Sequence, residues 1–226
     1  MNPFTLTVYA CPFDKKRLGK DYDGGYIIAD IPDIKYSILL AGGIEDDTSF
    51  EEDFIQKYPH VKCFAFDRLP TDNSNINFVK KNIGFENNEI TTNLHDIINE
   101  NESIFVKMDI EGGEIPWLKS LSNKQMKKFD QIIMEFHFPF TENEKDIFDK
   151  INTTHYLIHF HGNNCCGIRY HNGVIIPNVF ECCYLHKKFF IDIPRLNIEP
   201  IPSDLDMKNI IDNHEIYIDH VPFVNK

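Results

Sequence analysis

No stretch of this chain is apolar for long enough to cross a bilayer, which takes about 20 residues of helix. The N-terminus, MNPFTLTVYACPFDKKR, has a short apolar run but no basic region ahead of it, so it does not read as a secretory signal. Positive charge is scarce: 23 Lys and Arg stand against 35 Asp and Glu, a net charge of −12, and no basic stripe offsets it. A chain of that sign repels phosphate backbones and anionic headgroups, which argues against nucleic acid and membrane insertion. The six cysteines do not make a secreted disulfide framework. Cys165-Cys166 and Cys182-Cys183 are adjacent pairs, Cys11 and Cys63 stand alone, and no C-x-x-C zinc spacing occurs. Core or loop thiols in a reducing cytoplasm are the expectation. Repeats, low-complexity tracts and linkers are also missing. So is a G-x-G-x-x-G after the first strand, which argues against a dinucleotide-dependent oxidoreductase.

What is present is an alternation of strand-like and helix-like segments. Tyr36–Ile44 is an apolar run ending in glycines, and Ser49–Tyr58 reads as a helix with Ser49 and Glu52 as a capping box. Val61–Asp67 is a second strand, and Ile76–Ile83 is a weak third, interrupted by Lys80 and Lys81. Leu94–Ile98 lies in a short helix and Ser103–Ile110 in a strand. Pro116 suits the first turn of the next helix, whose apolar face is Ile115, Leu118 and Leu121. Gln131–Phe138 is another strand, and Thr141 with Glu144 caps the helix after it. Tyr156–His161 and Val179–His186 close the chain's pattern as a strand pair joined by an Asn- and Gly-rich excursion. The expectation is an α/β fold: a mainly parallel sheet with one antiparallel edge strand and helices on both faces. Residues 1–226 read as a single domain, with 1–35 an N-terminal extension and 36–226 the core. Such sheets bind ligands at the carboxyl ends of their strands.

Chemistry-bearing residues concentrate at those ends. The first strand runs into Gly42 and Gly43, followed by Glu45, Asp46 and Asp47 and then a helix start at Ser49 and Phe50. Glycines let a backbone approach a ligand closely, and the acids around them suit a cationic ligand better than a pyrophosphate. Asp67 closes the second strand, where a carboxylate can accept both ribose hydroxyls. Asp109, Glu111 and Glu114 share one loop with two glycines, and Glu135 and His137 end the next strand. Asp109 beside Glu135 can hold Mg2+ or another divalent cation, or serve as a base platform, with His137 or His161 as proton acceptor. Glu111, Asn163 and Asn164 are candidate contacts to acceptor hydroxyls.

These segments are, in order, Asp23-Gly24-Gly25-Tyr26, GGIEDDTSFEEDF (Gly42–Phe54), FAFD (Phe64–Asp67), KMDIEGGE (Lys107–Glu114), IIMEFHF (Ile132–Phe138), HFHGNN (His159–Asn164) and IPNVFECCYL (Ile176–Leu185). Together they resemble the FkbM-like family of S-adenosylmethionine (SAM)-dependent methyltransferases, most specifically in the D-x-E-G-x-E element at Asp109–Glu114. The resemblance implies a class I, Rossmann-like sheet with SAM as cofactor across its carboxyl edge. It also implies methyl transfer to a hydroxyl of a small-molecule or carbohydrate acceptor, a sugar or a macrolide-type compound. By position, Gly42, Gly43, Glu45 and the Ser49–Phe50 helix start line the methionine end of SAM. Asp67 takes the ribose and Asp109 faces the methyl group. Ala41 and Asp46 or Asp47 depart from the general glycine motif of such enzymes, which bears on the cofactor contacts more than on the fold. A catalytically inactive binding module on the same fold is the competing reading, and the sequence leaves a homo-oligomer open.

Overall fold

The computed structural model describes residues 1–68, 74–140 and 145–226. An antiparallel hairpin comes first, β1 (Lys15–Leu18) and β2 (Tyr26–Ala29). The alternation then runs β3 (Ile38–Gly42), α1 (Ser49–Lys57), β4 (Lys62–Phe66) and β5 (Ile76–Val79). A short parallel pair follows, β6 (Asn82–Ile83) with β7 (Thr91–Thr92), then α2 (His95–Glu100), β8 (Ile104–Met108), α3 (Glu114–Ser120) and α4 (Asn123–Met126). The chain continues with β9 (Phe129–His137), α5 (Lys145–Thr154), β10 (His155–Gly162), the hairpin β11 (Ile168–His171)–β12 (Val174–Pro177), and β13 (Val179–His186).

Seven strands form one sheet in the order β10-β13-β9-β8-β3-β4-β5. Neighbours from β9 through β5 pair in parallel, whereas β13 is antiparallel to both β9 and β10. The antiparallel strand therefore sits one place in from the edge, and the edge strand β10 runs with the others. The reason lies in the connection: β10 returns through a hairpin-bearing excursion, and β13 inserts between it and β9.

Strand alternation splits the core in two. Ile38, Leu40, Val106, Ile132 and Phe136 face α2–α5, packing with Ile98, Trp117, Leu118, Phe148 and Ile151. Leu39, Ala41, Phe105 and Ile133 face the other way, onto Phe50 and Phe54 of α1 and Ile28 of β2. Helices thus cover both faces, and the first hairpin completes the α1 side. Gln131 ties that hairpin to the sheet: its amide donates to the Ala29 carbonyl at 3.0 Å and its oxygen accepts the Ala29 N–H at 2.8 Å. This replaces strand pairing that a crossing hairpin cannot make, and satisfies groups that burial would otherwise leave unpaired.

Local details differ from the sequence reading at three points. Thr48, not Ser49, precedes α1, and its hydroxyl donates to Glu52 at 2.7 Å. The Ser49 hydroxyl instead accepts the Lys20 N–H at 2.9 Å, so the hairpin loop takes the cap away from the helix. The capping box occurs at α4, between Ser122 and Gln125. The segment Ile76–Ile83 divides into β5 and β6, with exposed Lys80 in the break. The cap expected from Thr141 and Glu144 lies outside the described residues. All six cysteines are free, and among the described residues no helix is long and apolar enough to cross a membrane.

Candidate active site at the strand ends

The parallel strands end together, and the register sets what stands beside what. Gly42 pairs with Met108 and Met108 with Met134, so Asp109 follows beside Glu135. Glu135 pairs with Glu181, and Glu181 with His161. A row of ionisable groups, Asp109–Glu135–Glu181–His161, therefore crosses four adjacent strands.

The turn after β3 is held from two sides. Gly43 has φ +69°, and a Cβ there would lie 1.4 Å from the Asp109 carbonyl oxygen, so no side chain fits. Its glycine serves the close approach of two backbones, β3 to the end of β8. Asp67 binds the same turn: one carboxylate oxygen accepts the N–H groups of Ile44 and Glu45, both at 3.0 Å. Glu45 (φ +43°), Glu111 (φ +53°) and Phe138 (φ +48°) also adopt left-handed backbone. Side-chain-bearing residues there cost on the order of 1 kcal/mol or more each, and such strain gathers at functional sites.

Two clefts meet at this turn. One is lined by Asp23, Tyr26, Asp47, Phe50 and Lys107. The other, of about 530 Å³, is lined by Asp67, Asn82, Ile83, Ile110 and Gly112. They share Gly43, Glu45, Asp109 and Glu111. The larger is of ligand-pocket size, roughly 300–1,000 Å³.

Asp109 stands at the junction. Its Oδ2 accepts the Tyr26 hydroxyl at 2.7 Å, while its Oδ1 is buried without a hydrogen-bond partner. Burial pushes its carboxyl up to about 6, against the opposing pull of Lys107, Tyr26 and His137. Glu135, 3 % exposed, accepts the Asn163 amide at 2.9 Å. Burial, with the charges of Asp109 and Glu181, raises it well above the usual carboxylate range. His137 lies among four carboxylates. Its Nδ1 is 3.1 Å from Glu114, and its Nε2 is 3.4 Å from Glu111, 3.7 Å from Glu135 and 3.9 Å from Asp109. Burial works against its charge, but the Glu114 hydrogen bond and the surrounding acids outweigh it and raise its pKa.

The other expected residues divide between the clefts and their surroundings. His161 sits between Glu181 at 3.5 Å and Glu215 at 3.6 Å, and these acids overcome its burial and push it up to about 10. Acids at both ring nitrogens favour the protonated ring. His159 faces the same way and pairs with Asp206 at 2.8 Å. Asn164 exchanges hydrogen bonds with Ile210 and Asn213, so it anchors the C-terminal segment and is saturated. Asn163 touches Glu135, and Glu111 is exposed at the mouth. Ser49 is held by Lys20, and Phe50 packs edge-on to Tyr26 at 5.7 Å.

Several contributors carry little sequence signal. Tyr26 reaches Asp109 from the first hairpin, and Lys107 donates to the Gly43 carbonyl at 3.0 Å. Asn209 bridges Glu181 at 2.8 Å and Asp23 at 3.1 Å from a segment without helix or strand. Glu181 is the exception: its place in VFECCYLH alternates with buried Phe180 and Cys182, which puts it on the site's face.

The charged His161 cluster has a consequence for stability. A histidine raised in the fold stabilises fully below its unfolded value near 6.5 and loses that contribution as pH rises through about 10. Wild-type unfolding free energy is expected to fall by about 2–4 kcal/mol between pH 6.5 and 10 from this group. His161→Gln is expected to flatten that limb in denaturant titrations. Parallel profiles for the two proteins would show that the cluster is not charged.

Among curated proteins, none matches the chain. Residues 23–164 match the Methyltransferase FkbM domain, a span from the turn before Tyr26 through β3, β4, β8 and β9 to Asn164. The chain belongs to the FkbM-domain methyltransferase family.

Proposed function

We propose that the protein is a SAM-dependent O-methyltransferase, a single domain with a class I, Rossmann-like core, that methylates a hydroxyl of a sugar. The observation that carries the reading is the buried, unpartnered Asp109 Oδ1 at the junction of two clefts. The cofactor fits the residues present. Carboxylates of Glu45, Asp47 and Asp109 suit a cationic sulfonium and ammonium, and Lys107 suits a carboxylate. In the adjoining cavity Asp67 suits ribose hydroxyls, with Ile83 and Ile110 as apolar walls for a base.

Bound SAM supplies a methyl group on a sulfonium, an electrophile that requires only an aligned nucleophile. The chain's own task is to place the acceptor oxygen and take its proton. Asp109 Oδ1 accepts the hydroxyl hydrogen, while Tyr26 fixes the other oxygen and so the orientation of the carboxylate. Glu135 and Asn163 extend the polar row toward Glu181 and Asn209. The sugar reading rests on what adjoins this row. A cavity of about 740 Å³ is lined by Tyr22, Tyr217, Asp206, Asn213 and Glu215, and exposed aromatic faces among carboxylates and amides suit a polyhydroxylated ring.

Calorimetric titration of SAM tests the cofactor. Saturable binding is expected, weakened roughly 10- to 100-fold in Asp67→Ala, because a carboxylate holding hydroxyls and the turn's N–H groups is worth about 1.5–3 kcal/mol. No binding to the wild type would overturn the reading.

A further inference from the structure

We propose that Asp109, Glu135 and His137 form a binding site for a divalent first-row cation such as Mn2+, with Glu114 holding the histidine as a ligand. The three residues each offer a donor atom, and these atoms lie within 4.8 Å of one another. His137 Nε2 is 3.7 Å from Glu135 Oε1 and 3.9 Å from Asp109 Oδ1. Donors about 2.0–2.2 Å from a shared ion stand about 3.0–3.5 Å apart, so the two carboxylates each need to close on the histidine by roughly 0.2–0.9 Å, within the reach of side-chain rotation.

Clustered acids alone would not carry this; two further observations do. Asp109 Oδ1 is buried, unpartnered and directed at His137 Nε2. The second is how the histidine is held. Glu114, 1 % exposed, is fixed by the N–H groups of Ile110 at 3.1 Å and Gly112 at 3.2 Å, and it takes His137 Nδ1 at 3.1 Å. The Nδ1 hydrogen is thereby committed to Glu114, and the Nε2 position faces three carboxylates, those of Asp109, Glu111 and Glu135. A neutral imidazole would aim a lone pair at negative oxygens, which is repulsive unless a cation stands between them. A carboxylate behind a histidine is how metal-binding histidines are oriented. Glu111, exposed and 3.4 Å from Nε2, closes the set from the solvent side. One nitrogen among several carboxylate oxygens favours Mn2+ over Mg2+.

The role of the cation deepens the proposed function and rests on that reading: it would hold the acceptor oxygen next to Asp109 and lower its proton affinity. Its binding does not rest on that reading and is measured without turnover. Mn2+ is titrated into chelator-stripped full-length protein, and the free-ion electron paramagnetic resonance signal is followed. Saturation at one Mn2+ per chain is expected, with binding lost in Glu135→Gln and weakened roughly 10- to 100-fold in Glu114→Gln, a positioning residue. Selective paramagnetic broadening of the His137 imidazole resonances in the wild type gives a readout that does not depend on either variant folding. No saturable binding, or binding that leaves His137 sharp, would overturn the proposal and leave a proton as the bridging cation. SAM titration on the same stripped protein keeps the two readings apart, since cofactor binding without Mn2+ binding sinks only the metal.

Discussion

Asp109→Asn is expected to give a protein that is more stable than the wild type and nearly inactive. In metal-free buffer the melting temperature should rise by roughly 2–6 °C, and kcat/KM for methyl transfer to an accepted sugar should fall about 10²- to 10⁴-fold. Both effects have one cause. Asp109 lies beside buried Glu135 across adjacent strands, with carboxylate oxygens within 4.8 Å, and its Oδ1 has no hydrogen-bond partner. Two neighbouring carboxylates repel, and an unsatisfied buried oxygen costs about 1–3 kcal/mol. The amide keeps an oxygen for the Tyr26 hydroxyl and offers its N–H₂ toward Glu135, which removes the repulsion. It also removes the acceptor of the substrate's proton. Differential scanning calorimetry and a methyl-transfer assay on the same preparation check the pair of effects. A variant with lower stability would show that Asp109 holds the fold, and one with wild-type turnover would remove it from the chemistry.

How much of this was legible in the sequence depended on whether a residue's partner was near in the chain or came from the periodic pattern. The strands β3, β4, β8 and β9 were readable because buried apolar runs ended in glycines or acids, and Asp109, Glu135 and His137 followed as strand-end residues. The coming together of Asp109 and Glu135 needed only adjacent parallel strands. The role of His161 was not readable. Its charge is favoured by Glu181 on the neighbouring strand and by Glu215, which reaches it from an irregular segment 54 residues later, and irregular segments carry no periodicity to predict from. The partners of Asn164 were hidden for the same reason, since Ile210 and Asn213 lie in that segment. Ser49 lost its helix cap to the Lys20 N–H, a tertiary contact that overrides a sound local motif. The hairpins β1–β2 and β11–β12 were missed because each strand is four residues long, too short for alternation to stand out.

Lys107→Met is the second large effect, and it falls on stability. Lys107 is 4 % exposed and Glu51 is fully buried, 3.8 Å apart, on the α1 side of the sheet. Neither Glu51 oxygen has a hydrogen-bond partner, and burial holds its carboxyl above the usual range despite the opposing charge of Lys107. The ion-pair distance and the raised carboxyl pull in different directions, and the burial is decisive: the pair offsets the cost of taking Glu51 out of water without reversing it. Removing the lysine strands that carboxylate, and breaking such a pair costs about 3–5 kcal/mol, roughly 10 °C for a chain of this size. Glu51 escapes part of the cost by taking a proton. A carboxyl raised in the fold binds more protons folded than unfolded, so stability falls as pH rises through its folded value. The deficit of Lys107→Met is therefore expected to widen from pH 5 to pH 8. Glu51→Leu with Lys107→Met is expected to recover most of it, because apolar residues of similar volume replace buried pairs at little cost. That double variant should still bind SAM poorly, since Lys107 also lines the cleft and holds the Gly43 carbonyl at 3.0 Å. Stability restored without cofactor affinity would assign Lys107 two separable tasks, whereas recovery of both would make it only the counter-charge of Glu51.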